Sequence, residues 1–182
     1  MSTSRAILQA YLGTNSEERS STARYGVRDP QQITYDREHN KIVVMDSTDS
    51  EYGEAIGRRG VLGALLIISH GNEESAGKMS PRQWARLIQD SGMHSEGMLV
   101  VHDACNIAKS EYGFAQQMAN ILNSPYRGPN AYSVTFLGLV SIGIWNVGVG
   151  GNPDFTSPGY FKTFYPNQPA AALPETNPRD RR

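Results

Sequence analysis

The sequence predicts an α/β protein with a wound, mostly parallel sheet flanked by helices and a C-terminal β-hairpin region. Apolar segments of strand length at residues 61–69 and 97–101 alternate with segments of helical periodicity at residues 80–90 and 112–122. This alternation is typical of wound sheets, because each helix returns the chain to the same end of the sheet. The run VLGALLIIS has little polar alternation, which is typical of a strand buried on both faces.

Three segments supply the predicted central strands. Residues 41–46 (KIVVMD) form the first, and a polar loop separates them from residues 61–69. Residues 97–101, followed by His102, form the third strand one helix later. Strand alternation points His102 away from the loop that follows, so we expect it to be a partly buried structural residue.

Residues 80–90 (SPRQWARLIQD) carry the signals of a helix start. Ser80 suits the N-cap and Pro81 the first helical position, since proline lacks an N–H that the first turn would leave unpaired. The helix is expected to end near Gly92. The apolar side chains on its predicted inner face are Trp84, Leu87 and Ile88.

Residues 112–122 (YGFAQQMANIL) form the second predicted helix, after the loop DACN. Its apolar residues recur at helical spacing, which predicts one face packed on the sheet. The residues predicted to share that face are Phe114, Met118, Ile121 and Leu122.

Residues 128–153 contain no charged side chain and are long enough, on count alone, to span a bilayer. Their Asn, Ser and Thr residues and repeated glycines favour a different structure. β-Branched and aromatic residues alternate with small ones, which is typical of strands joined by glycine turns. We therefore expect a buried β-hairpin here and no membrane partner.

The domain organisation is predicted to be simple, with one α/β domain at residues 41–166. Residues 1–40 are polar and are expected to be a weakly structured extension or to pack on that domain, with a short helix at residues 6–12. Residues 167–182 are rich in proline and charge and are expected to form a flexible tail. The N-terminus lacks the long apolar centre of a Sec signal, so Sec export is not expected.

Composition excludes several classes of function. The 17 basic and 18 acidic residues give a net charge of −1, which is not the positive balance typical of nucleic-acid binders. One cysteine and four scattered histidines exclude a disulfide framework and a Cys-rich metal site. Asp46, Asp49, Glu73 and Asp103 could serve as a metal cluster or as an orienting acid, but their spacing does not single out either role. We therefore expect no metal and no cofactor.

A histidine and the single cysteine follow neighbouring predicted strands. His70 stands in the sequence SHG and Cys105 in DACN, one β–α–β crossover later. The carboxyl ends of parallel strands meet at one edge of a sheet, so the imidazole and the thiol are expected to meet there. A neighbouring histidine lowers a thiol pKa and can protonate a leaving amine. A lone cysteine is more often a packing residue, but the paired His-Gly favours a nucleophile.

Two backbone amides are expected to support this chemistry. Gly71 has no side chain to obstruct its N–H, and together with the N–H of Cys105 it could hold the oxyanion of a tetrahedral intermediate. The predicted roles are therefore acid and base for His70, nucleophile for Cys105, and oxyanion binding for Gly71 and Cys105.

The segments LLIISHG (residues 65–71) and LVVHDACN (residues 99–106) resemble the caspase-like cysteine peptidases, which include caspases, metacaspases, legumain, clostripain and gingipain. With residues 113–122 and 159–166, about half of the chain is similar to C-terminal domains of bacterial polymorphic and contact-delivered toxins. The resemblance implies a caspase-like sheet in which His70 and Cys105 form a dyad without an obligatory third member.

The resemblance also implies a substrate pocket. In the arginine- and lysine-cleaving branches, the acid two residues before the nucleophile lines the S1 pocket, and Asp103 holds that place here. A basic P1 residue is therefore expected, since a buried carboxylate attracts a guanidinium or ammonium group. Ser69 and Asn106, which flank the dyad, are assigned to substrate binding together with Asp103.

Two hypotheses about function follow. In the first, the chain is a cysteine peptidase that acts through a thioester acyl-enzyme. It would serve as a bacterial effector or toxin domain, held in the bacterial cytoplasm before delivery into a target cell. Its expected partners are a protein or peptide substrate and a cognate immunity protein. In the second, the same cleft belongs to a catalytically inactive caspase-like module that binds a partner without cutting it.

Overall fold

Seven strands form one mixed sheet and three form a second sheet in the computed structural model, which describes residues 17–136, 140–148 and 151–166. The predicted helix at residues 6–12 and the predicted tail at residues 167–182 lie outside the described residues. In chain order the strands are β1 (Glu17–Ser21), β2 (Gln32–Asp36), β3 (Lys41–Val44), β4 (Ala64–Ser69), β5 (Leu99–Asp103), β6 (Tyr126–Pro129), β7 (Tyr132–Phe136), β8 (Val140–Val147), β9 (Pro153–Pro158) and β10 (Phe161–Phe164). The helices are α1 (Tyr52–Gly57), α2 (Pro81–Ser91) and α3 (Phe114–Leu122), and a 3-10 turn spans Thr22–Tyr25.

The large sheet has the order β1-β2-β3-β4-β5-β6-β10, so the predicted α/β class is confirmed. Strands β3 to β6 are parallel at its centre, while β1, β2 and β10 pair antiparallel at the edges. The sheet is therefore mixed. Residues 17–36 supply two of its strands, although their polar sequence indicated no strand there. β1 is an edge strand, which needs little apolar patterning, and β2 buries Ile33, Thr34 and Tyr35 in only five residues, too few to stand out in a polar segment.

Helix α2 begins and ends where the sequence predicts. The Ser80 hydroxyl accepts the N–H of Gln83, whose side chain accepts the N–H of Ser80, so a capping box closes the first turn. Gly92 ends the helix in the left-handed conformation, with a φ of 65°. Trp84 is fully buried and its indole N–H donates to the carbonyl of Ala76 (2.6 Å), so it anchors the helix as predicted.

Helix α3 begins at Phe114, and one residue predicted for its buried face is exposed. Ile121 is 40% accessible, so that part of the prediction is wrong. The side chains that face the sheet are centred further round the helix, and Ile121 lies at the margin of that arc. The buried residues are Phe114, Ala115, Met118, Ala119 and Leu122.

The two faces of the large sheet are covered unequally. Helices α2 and α3 pack on one face and enclose the main apolar cluster, which includes Trp84 and Phe114. On the other face, a smaller cluster packs around α1 at the β3 and β4 side of the sheet. Ile68, near the end of β4, points toward α1 on this second face.

The predicted hairpin in residues 128–153 is present as β7 and β8, which pair antiparallel. β9 pairs antiparallel with β8 and completes the three-stranded sheet. It is less buried than expected, since Tyr132 is 43% and Val147 40% accessible. The described strands of the hairpin belong to a separate small sheet, so Tyr132 and Val147 are not enclosed by the main core. Among the described residues, no helix is long and apolar enough to cross a membrane.

A chain of buried polar groups lies beneath the end of β4. The Ser69 hydroxyl donates to the carbonyl of His70 (3.0 Å) and accepts from Nε2 of His102 (2.9 Å). The opposite nitrogen, Nδ1, then accepts from the hydroxyl of Tyr126 (2.5 Å). Trp84 packs edge-on against the imidazole, and burial lowers the pKa of His102 to about 3. This chain ties the backbone at His70 to three strands.

We expect the stability of the protein to fall below neutral pH because of His102. Between pH 6.5 and 3 the unfolded chain binds a proton at this residue that the folded chain excludes. Each unit of acidification in that window then costs about 1.4 kcal/mol. Urea unfolding at pH 7 and pH 5 should show that the wild type loses about 2 kcal/mol more than His102→Gln. Equal losses in wild type and His102→Gln would contradict this account.

Candidate active site

The carboxyl ends of β3, β4 and β5 form a cleft that contains both predicted catalytic residues. Glu51 reaches it from the segment after β3, His70 from the end of β4 and Cys105 from the end of β5. The last paired residues of β4 and β5 are Ile68 and Asp103. His70 and Cys105 each lie two residues beyond that pair in the loops that follow the strands, and both line the cleft.

The loops that carry these two residues are in direct contact. A Cβ atom added to Gly71 would lie 2.8 Å from Cβ of Ala104 and 3.2 Å from the carbonyl oxygen of Cys105, so a side chain does not fit. Asn106 follows the cysteine in the left-handed conformation, with a φ of 59°, which turns the chain sharply after the thiol. Glycine at position 71 is therefore required by the close approach of the two loops.

His70 is held by carboxylates on both sides of its ring. Nε2 lies 2.6 Å from Oδ2 of Asp49, and Nδ1 lies 3.9 Å from Oε2 of Glu51. Partial burial raises the pKa of Asp49, but the hydrogen bonds from the Glu51 N–H and from His70 outweigh it, so the pKa is below its usual value. The imidazole side chain is 48% accessible, which leaves one side of the ring open to solvent.

Cys105 is turned toward a carbonyl oxygen. Its thiol donates to the carbonyl of Ser133 on β7 (3.8 Å), and among the described residues it has no hydrogen bond to His70. Burial raises the pKa of the Cys105 thiol, and the negative charges of Asp103 and Glu51 raise it further. In this arrangement the sulfur is a neutral thiol at neutral pH.

Asp103 lies at the floor of the cleft and is only half paired. Its carboxylate is 5% accessible, and Oδ2 accepts from Nη1 of Arg58 (2.5 Å). Within the described ranges, Oδ1 is buried and accepts no hydrogen bond. Nε of Arg58 also lies 4.0 Å from Oε1 of Glu54, and the backbone carbonyl of Arg58 accepts a hydrogen bond from Nζ of Lys41 (2.7 Å). The open space in the cleft is about 30 Å³, enough for a water molecule or two.

The remaining residues with predicted roles lie in or beside the cleft. Ser69 lines it, but its hydroxyl is committed to His102 and the His70 carbonyl. Asn106 is buried behind the cysteine. Among the described residues, neither the Gly71 nor the Cys105 amide donates to a backbone carbonyl. The oxyanion role of these two amides stays a prediction.

Several cleft residues were not predicted from the sequence. Asp49 and Glu51 follow β3, whose carboxyl end faces the same edge, so their position after a predicted strand was a usable signal. Arg58 and Ser133 gave no such signal. Arg58 reaches the cleft from the end of α1, and Ser133 reaches it from the second sheet, which only the folded chain brings near the thiol.

Comparison with known proteins places the chain in a family. Residues 40–150, which include every cleft residue named above, match DUF8616, described as a domain of unknown function. The chain belongs to the DUF8616 family. It matches no curated protein and no solved structure. The cleft of this DUF8616 domain is therefore interpreted from its own geometry.

We expect Arg58→Met to destabilise the DUF8616 domain by leaving the Asp103 carboxylate buried without a counter-ion. The loss should be about 2–3 kcal/mol, below that of a fully buried pair because Arg58 is 30% accessible. Urea unfolding at pH 7 measures it. Arg59→Met, a matched change at the exposed neighbouring position, should shift stability by less than about 0.5 kcal/mol. Equal effects of the two substitutions would show that the Arg58–Asp103 pair contributes nothing.

Proposed function

We propose that this DUF8616 domain is a cysteine hydrolase of the peptidase class, in which Cys105 is the nucleophile and His70 the acid and base. The observation that carries the proposal is that both residues line one cleft, each two residues beyond the last β4–β5 pair. A thiol and an imidazole on facing strand ends are the two groups that acyl transfer through a thioester requires.

We also propose that the sheet is of the caspase-like kind. Its support is the parallel centre of β3 to β6, with His-Gly at the end of one strand and the cysteine at the end of the next. The segments that resemble caspase-like peptidases, residues 65–71 and 99–106, fall on these strand ends, and the further segments that resemble bacterial toxin domains, residues 113–122 and 159–166, fall on α3 and β10. The proposed setting, an effector delivered into a target cell with an immunity protein as partner, rests on that resemblance.

In the proposed reaction, Asp49 holds Nε2–H of His70, so Nδ1 accepts the thiol proton. The half-exposed ring turns from Glu51 toward the sulfur to do so. The thiolate attacks the substrate carbonyl carbon, a C–S bond forms, and the carbonyl electron pair moves to oxygen, where the Gly71 and Cys105 amides bind it. The C–N bond then breaks, and the departing amine takes the proton from His70.

The second half of the reaction releases the acyl group. A water molecule gives a proton to His70 and attacks the thioester carbon. As the C–S bond breaks, the sulfur takes the proton back, and the enzyme returns to its starting state. The carboxylate of Asp49 stabilises the positive charge that His70 carries in each half, because the two groups are 2.6 Å apart.

The unpaired oxygen of Asp103 supports a preference for a basic substrate side chain. A guanidinium or ammonium that entered the cleft would meet Oδ1, which has no partner among the described residues, while Arg58 stays paired with Oδ2. The same cation would offset the negative charge that raises the pKa of Cys105. A basic substrate would therefore help to activate the thiol that attacks it.

One observation favours a second candidate function, a binding module without catalysis. In the described structure the thiol faces the Ser133 carbonyl and the imidazole faces Asp49, so the two groups are not paired with each other. A cleft with an acidic floor could bind a basic segment of a partner in that arrangement. The two candidates differ in whether Cys105 becomes acylated.

We expect the wild type to cleave peptides after Arg or Lys and to form a thioester on Cys105. A fluorogenic peptide library measures cleavage, and mass spectrometry of acid-quenched protein detects the acyl adduct. Cys105→Ala should remove both signals, and His70→Ala should lower the rate by at least about 100-fold. His94→Ala changes a histidine outside the cleft and is the control. Binding of basic peptides that survives Cys105→Ala, with no adduct in the wild type, would favour the binding module.

We expect Asp103→Asn to make the thiol more reactive while weakening recognition of basic substrates. Removal of the charge lowers the pKa of Cys105, so the pH profile of alkylation by iodoacetamide should move to lower pH. In the same variant, cleavage after Arg should fall relative to cleavage after Gln. Asp90→Asn, an exposed change on α2, should alter neither. An unchanged alkylation profile would show that Asp103 does not act on the thiol.

A further inference from the structure

Three metal-ligating side chains meet at the rim of the cleft. Asp49 and Glu51 come from the segment after β3 and His70 from the end of β4, and one ligand atom of each lies within 4.8 Å of the others. The three residues are separated along the chain, so their spacing in the sequence does not show the cluster. The parallel pairing of β3 and β4 brings them together.

The donor set and its surroundings suit a divalent transition-metal ion. One imidazole and two carboxylates are ligands that Zn²⁺ accepts, at ~2.0–2.2 Å, with a fourth position left for water. The exposed side of His70 gives an ion access to the cluster. Three ligands that leave a fourth tetrahedral position suit Zn²⁺, whereas Cu²⁺ prefers a square-planar or tetragonal arrangement, so zinc is the ion that we propose for this set.

A second observation, independent of the cluster, also indicates that the cleft favours a cation. Asp103 is buried in the same cleft, and its Oδ1 has no hydrogen-bond partner within the described ranges. Glu51 and Glu54 add two more carboxylates to the cleft lining, against the guanidinium of Arg58. A buried carboxylate oxygen without a donor is costly, and a nearby divalent cation reduces that cost.

We propose that Asp49, Glu51 and His70 bind one Zn²⁺ ion, and that the bound ion switches off hydrolysis by occupying His70. The first part stands on the cluster alone, and the second rests on the proposed function. To admit the ion, the 2.6 Å contact between Asp49 and His70 opens to the ~3.3 Å that tetrahedral ligands need. Both side chains lie at the accessible rim, so this movement does not disturb the sheet.

The binding test uses Cys105→Ser protein, so that the thiol cannot supply a ligand. Competition with a chromophoric chelator measures the affinity and stoichiometry for Zn²⁺. We expect one ion per chain and a loss of at least about tenfold in affinity when Asp49→Asn, Glu51→Gln or His70→Gln is added. Matched changes at exposed carboxylates elsewhere, Asp29→Asn and Glu111→Gln, should stay within about twofold.

Two binding results would overturn the proposal. One is an affinity that is the same in the Asp49→Asn, Glu51→Gln and control variants, which would place the ion elsewhere. The other is zinc binding that appears in the wild type but not in the Cys105→Ser protein, which would make the thiol the main ligand. Tighter binding in the wild type, with the three variants still weakened, would support the site with sulfur as a fourth ligand.

The inhibition test separates this inference from the proposed function. If the wild type hydrolyses peptides, Zn²⁺ should inhibit it, and Glu51→Gln should require at least about tenfold more zinc for half-inhibition. Inhibition unchanged by Glu51→Gln would overturn the switch. If the wild type hydrolyses nothing, the proposed function and the switch fail together, while the binding results in the Cys105→Ser protein still decide the metal site.

Discussion

The parallel register of β3, β4 and β5 is the constraint on which the site depends. Parallel strands carry the segments that follow them to the same edge, and the ladder sets how far each reaches. Since Ile68 pairs with Asp103, the loops that begin after these residues bring the imidazole and the thiol into one cleft. A slip of one residue in β5 would send the cysteine to the opposite face and put the buried His102 in the cleft.

The buried polar chain under β4 gives this edge its rigidity. Ser69 is bonded both to the His70 carbonyl and to His102, so a group in the core of the sheet is linked directly to the backbone of the site. The close contact of Gly71 with the loop of Cys105 also restricts the backbone at this edge of the sheet. Backbone positions at the cleft are therefore well determined, whereas the side chain of His70, which is 48% accessible, can change its partner.

Electrostatics give the cleft a consistent character. Its carboxylates raise the pKa of the thiol, attract cations and hold the imidazole, and Arg58 offsets part of their charge. A basic side chain and a zinc ion would both be drawn to this site, with opposite proposed effects on the thiol chemistry. The basic side chain offsets the charge near the sulfur, whereas a metal ion on Nε2 leaves the ring proton of His70 on Nδ1, the nitrogen that must accept the proton of the thiol. Occupancy by one or the other would decide the state of the dyad.

The sequence by itself determined the α/β class, the start and end of α2, and the placement of His70 and Cys105 on neighbouring strand ends, because these depend on local periodicity, capping and chain order. It did not reveal β1 and β2, the exposure of Ile121 or the residues that surround the dyad. Those depend on contacts between segments far apart in the chain: edge pairing, the rotation of α3 on the sheet, and the approach of α1 and β7 to the cleft. Tertiary structure alone decided that Asp49 pairs with His70 and that Arg58 pairs with Asp103. No local sequence pattern encodes a distance between loops.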